Sequence, residues 1–86
     1  MGAKVDLAKT PKTMPSPVAI RIGKNIKRLR EAKGLDQSEM GRRLGKSANN
    51  INNMEAGRKK PSLKYIEDIL MPFFNADPVE FFVPRP

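Results

Sequence analysis

Residues 34–62 read GLDQSEMGRRLGKSANNINNMEAGRKKPS, and this stretch decides the fold. Asp36 with Glu39 three positions on is a variant of the capping box, so a helix starts here. It carries Met40 and Leu44 inward and stops at Gly45. Ser47 caps the next helix, which runs from Ala48 to about Glu55 and is ended by Gly57. Only Leu44-Gly45-Lys46-Ser47 joins the two. A tight turn containing glycine lets the second short helix project across the first. At about 100° per residue, Ile51 and Met54 fall on one side of that second helix. Ala48, Asn49, Asn52 and Asn53 fall on the other.

The outward face is therefore rich in amides and carries no charge. Asparagine can bond an adenine edge through its acceptor and its donor together. The flanks are basic, with Arg42, Arg43 and Lys46 before the helix and Arg58, Lys59 and Lys60 after it. Phosphate contacts position a protein on DNA and base contacts specify the sequence, so charge and amide are divided as that task requires. Asparagine is also a poor helix former. Four of them between residues 49 and 53 weaken the helix, which points to a role on its surface. The plainer alternatives are that the asparagines form a solvated face and that the basic loop sits in water.

Working outward, the first helix is expected from about Ile20 to Lys33. Ile22, Ile26 and Leu29 make its apolar stripe, and Gly34 is placed as a left-handed cap. Pro61-Ser62 opens a fourth helix with Leu63, Ile66, Ile69 and Leu70 at apolar spacing. Pro72 should end or kink it, and Asn75 is a left-handed stop. Asp77-Pro78 starts a short final turn through Phe82. Phe73, Phe74, Phe81 and Phe82 read as core, with a dimer interface as the alternative.

No alternating strand pattern of useful length occurs, so the expected fold is all-α: five short helices in one domain over residues 18–83. Residues 1–17, MGAKVDLAKTPKTMPSP, read as a flexible basic arm, with tracking of a minor groove as its sharper alternative. Residues 84–86 are a tail.

With 86 residues there is room for one domain. Seventeen Lys and Arg against nine Asp and Glu give a formal charge of +8, which favours a polyanionic partner. The chain has no cysteine and no histidine, which removes disulfides, thiolate metal sites and the commonest general base. The nine acids are dispersed, so neither catalysis nor a cofactor or metal is expected. No apolar run approaches the ~18 residues of a membrane span, and the N-terminus lacks a signal-peptide core. The expectation is a cytoplasmic protein without membrane contact.

The stretch from Ile22 to Ser62 resembles the Cro/C1-type helix-turn-helix family of DNA-binding regulators. The resemblance rests on Gly34-Leu35-x-Gln37, Leu44-Gly45-x-Ser47, Ile51, Glu55, Gly57 and Pro61-Ser62 standing in that order and spacing. It implies a five-helix, phage-repressor-like fold in which Arg30 pairs with Glu55. It also implies that Gln37 sits near a phosphate, and that Ala48, Asn49 and Asn53 face bases with Asn52 at the edge. The phosphate contacts expected around them are Gln37, Arg42, Arg43, Lys46, Ser47, Asn50, Arg58, Lys59 and Lys60. Gly41 departs from the family's usual alanine, Lys46 from a common valine, and Asn52 and Asn53 from serine and a basic residue. The family's target preferences therefore do not carry over. The segment Met71 to Phe74 is also about one residue longer than usual.

The function implied is sequence-specific binding of double-stranded DNA by a repressor-like transcriptional regulator acting as a homodimer. Two rivals stand beside it. One is an adaptor or antitoxin-like module that binds a protein partner, and the other is a non-specific binder of RNA or other polyanions.

Overall fold

Ser16 opens the first helix. The computed structural model describes residues 16–84. Ser16 is extended, and its hydroxyl accepts the Ala19 N–H at 3.0 Å. Pro17 takes the first helical position, where its missing N–H does no harm. Helix α1 (Pro17–Ala32) thus starts three residues before the expected Ile20, with Ser16 as its cap and Pro17 as its first residue rather than part of an arm. The rest of the expected arm lies outside the described residues. At the other end Gly34 is left-handed, with φ 76°, and the Leu35 N–H returns to the Arg30 carbonyl at 3.2 Å.

Helix α2 (Gln37–Leu44) opens with the full capping box. Asp36 Oδ1 accepts the Glu39 N–H at 2.7 Å, and Glu39 Oε1 accepts the Asp36 N–H at 2.9 Å. Gly45 ends it at φ 71°. Helix α3 (Ala48–Glu55) follows at once, with the Ser47 hydroxyl accepting the Asn50 N–H at 3.0 Å. Gly41 makes this turn possible. The Lys46 N–H bonds the Gly41 carbonyl at 2.7 Å, and a Cβ on Gly41 would sit 2.5 Å from the Lys46 oxygen. The alanine usual in the family would push the two helices apart here.

Helix α4 spans residues 63–74 and differs from expectation. It passes through three forms in sequence: α-helical Leu63–Tyr65, π-helical Ile66–Leu70 and α-helical Met71–Phe74. Pro72 neither donates to the ladder nor tolerates the carbonyl four residues back in a regular helix. The turn before it is widened, with the Met71 N–H reaching back five residues to Ile66, and the helix runs on past the proline. It stops at Asn75, left-handed at φ 52°. The burial pattern also departs from expectation. Ile66 and Leu70 are buried, whereas Ile69 and Leu63, both expected inside, are 38% and 60% exposed.

Helix α5 (Val79–Phe82) starts behind Pro78 without a side-chain cap. The core gathers Ile22 and Ile26 of α1, Met40 of α2, Ile51 and Met54 of α3, Ile66 and Leu70 of α4, and Phe81 of α5. Phe73, Phe74 and Phe82 are half-buried and pack against it. The described residues form helices and connecting turns with no strand.

The sequence reading missed how α5 is held. Asn25 is 2% exposed and donates both amide hydrogens outward from α1, to the Phe81 carbonyl at 2.9 Å and the Val83 carbonyl at 3.0 Å. Arg28 adds bonds to the Glu80 carbonyl and carboxylate, each 3.1 Å. The signal was present: Asn25 is a polar residue on the apolar stripe between Ile22 and Leu29.

Candidate nucleic-acid interface

Helix α3 is locked from behind by charge. Arg30 of α1 meets Glu55 of α3 in a two-pronged bond, Nε to Oε2 at 2.6 Å and Nη2 to Oε1 at 3.1 Å. The side chains are only 9% and 4% exposed. A third Arg30 nitrogen donates to the Leu35 carbonyl at 2.7 Å, so the same residue also holds the lead-in to α2. The hydrogen bond to Glu55 raises the Arg30 pKa above its ordinary value, and burial opposes it. Beside this pair α1 touches α3 closely. A Cβ on Gly23 would overlap the backbone oxygens of Met54 and Glu55.

Gln37 lies in the same network. Its Nε2 donates to Glu55 Oε1 at 3.0 Å and to Asn52 Oδ1 at 3.2 Å. Both amide hydrogens are engaged inside the protein, so a phosphate contact by Gln37 would require giving up one of these bonds.

On the outward side of α3, Asn49 is exposed, and Ala48, Asn50, Asn52 and Asn53 are half-buried. The buried residues of the helix are Ile51, Met54 and Glu55. Two basic side chains from the following loop fold back onto the helix. Arg58 Nε donates to Asn53 Oδ1 at 3.0 Å, and Lys59 Nζ donates to Asn50 Oδ1 at 3.3 Å. Lys60 is exposed beside buried Pro61. Arg42 and Arg43 are exposed in the last turn of α2, and Ser47 is exposed at the α3 cap.

Lys46 sits with its ammonium 5.2 Å from the centre of the Tyr65 ring. Together with Asn50, Lys59 and Ser62 these two line a cavity of about 160 Å³ next to α3. Burial raises the Tyr65 phenol pKa, and its hydroxyl has no hydrogen-bond partner among the described residues.

The structure therefore sets Arg58 and Lys59 against the α3 amides and leaves Arg42 and Arg43 exposed at the end of α2, just before α3 in the chain. A helix-turn-helix family model matches residues 26–74, which takes in the second half of α1 and everything through α4. The chain belongs to the Cro/C1-type helix-turn-helix family. It is accordingly a DNA-binding helix-turn-helix domain of the regulator kind. No curated protein and no solved structure gives a significant match. The match ends at Phe74, before α5. No helix among the described residues is long and apolar enough to cross a membrane.

Proposed function

We propose that the protein binds duplex DNA sequence-specifically, with α3 in the major groove, and regulates transcription by occupying its sites. Ala48, Asn49, Asn52 and Asn53 address base edges. Arg42, Arg43, Lys46, Ser47, Asn50, Arg58, Lys59 and Lys60 supply the surrounding phosphate contacts. The observation that carries this reading is the uncharged amide face of α3 between two groups of exposed cations. A non-specific polyanion binder has no need of an ordered polar face locked in place by a buried ion pair. Base reading does, because a bond to a base edge fails if the helix shifts by a fraction of its length.

The protein acts in pairs. Eight residues of helix rise about 12 Å, enough to span roughly four base pairs. So short a sequence cannot single out a site in a genome, and two copies on half-sites about one helical turn apart can. The test is selection of bound sequences from random duplexes at near-physiological salt. Enrichment of a two-fold symmetric site supports the reading. Binding without enrichment would leave only electrostatic attraction, and no binding would favour a protein partner.

A further inference from the structure

We propose that the interior of the protein sets the hydrogen-bond polarity with which α3 reads DNA. Asn52 presents only its NH2 group to the bases, so the site carries guanine at that position and rejects cytosine. This rests on the reading of α3 as the base-contacting helix.

The polarity follows from counting protons along one chain of bonds. Arg30 is a pure donor that keeps its charge, and the Glu55 carboxylate that it holds is a pure acceptor. Gln37 approaches Glu55 Oε1 at 3.0 Å and can bond it only through Nε2. The opposite orientation would set an amide oxygen against a carboxylate oxygen with no proton between them. Nε2 has a second hydrogen, and it goes to Asn52 Oδ1 at 3.2 Å. The Asn52 carbonyl is thereby engaged on the protein side, and the two hydrogens of Nδ2 remain for the groove.

A pure donor discriminates among bases. Guanine offers two acceptors, N7 and O6, and can take both hydrogens. Thymine offers O4 alone, while adenine sets its own donor beside N7. Cytosine presents only an N–H2 donor, so donor would face donor. The neighbouring asparagines are not constrained in this way. The Asn49 side chain makes no hydrogen bond among the described residues, so it keeps both amide functions and can pair with adenine. The Asn53 carbonyl is held by Arg58, but that bond is at the exposed surface, where water or phosphate can replace it.

The experiment is sequence selection with the full chain, repeated with Asn52→Ala, Asn52→Asp and Gln37→Ala, each variant first checked for folding by thermal melt. Asn52→Ala locates the position, because only there should the base preference flatten. In the parent that position should favour guanine over cytosine by roughly 5- to 150-fold. Gln37→Ala frees the Asn52 amide to turn, so cytosine and adenine should rise there while the other positions stay unchanged. Asn52→Asp presents an acceptor in place of the donor and should move the preference toward cytosine, which keeps the proposal testable if Gln37→Ala does not fold.

Three outcomes would overturn it: cytosine or adenine preferred over guanine at that position in the parent, an Asn52→Ala variant that changes no position, or a Gln37→Ala variant that weakens all sequences alike. An absence of any enrichment in the parent is a different failure, since it removes the DNA-reading role itself and the inference with it.

Discussion

Replacing Arg30 with methionine removes a charge while keeping most of the volume, and the structure allows the loss to be worked out. Glu55 would keep only the Gln37 bond inside a pocket where its side chain is 4% exposed. The Leu35 carbonyl would lose its 2.7 Å donor at the same time. Stranding one partner of a buried ion pair destabilises by about 3–5 kcal/mol. A domain this small has a total stability near the low end of about 5–15 kcal/mol. At about 4–8 °C per kcal/mol, the melting temperature should fall by roughly 12–40 °C.

Replacing both partners by methionine removes the stranded charge as well. The remaining losses are the acceptor for Gln37 and the donor for the Leu35 carbonyl, each worth about 1 kcal/mol. Arg30→Met/Glu55→Met should therefore be more stable than Arg30→Met alone. Thermal and urea unfolding followed by far-ultraviolet circular dichroism gives both values. An Arg30→Met variant within 1 kcal/mol of the parent would refute the reasoning, and so would a double variant that loses the sum of its singles.

Three other outcomes are expected. Gly23→Ala should gain about 1 kcal/mol of helix propensity yet lower the melting temperature, because its Cβ meets the rigid backbone oxygens of Met54 and Glu55; a higher melting temperature would mean that α1 and α3 are not so close. Tyr65, the one tyrosine of the chain, has a raised phenol pKa from burial. Its contribution to stability is present below the unfolded value of about 10 and is lost as pH rises through the folded one. Phenolate absorbance should accordingly appear at higher pH in native than in urea-unfolded protein, and coincident curves would contradict its burial. Asn49→Ala should weaken binding to the selected site by ~1–3 kcal/mol and to random DNA very little. Lys59→Ala should weaken both alike and reduce the salt slope by about one; exchanged patterns would reverse the two roles.

What the sequence made legible was mostly local chemistry. Asp36 and Glu39, Ser47, Gly34, Gly45 and Asn75 all act within one helical turn of themselves, and each sits where its own preferences place it. Ser16 and Pro17 are signals of the same kind that were lost among the neighbouring prolines. Pro72 was harder. Its local rule says stop, but Leu70, Phe73 and Phe74 pack on the core around it, and the ladder widens instead of ending. Ile69, within the widened segment, is 38% exposed.

At the site, the composition of the α3 face and its basic borders could be read from periodicity. The Arg30–Glu55 pair came from family resemblance, since 25 residues separate the partners and no local pattern joins them. The partners of Gln37 and Asn25 depend on how far one helix lies from another, which only the packed structure fixes.

The central claim, that α3 reads sequence, is tested most directly by one ratio. This is the affinity of the full chain for its selected duplex over that for a scrambled duplex of equal length, at physiological salt. The account predicts a ratio of about 10³ or more. A ratio near one, with a steep salt dependence on both duplexes, would contradict it and leave a basic surface that attracts DNA without reading it.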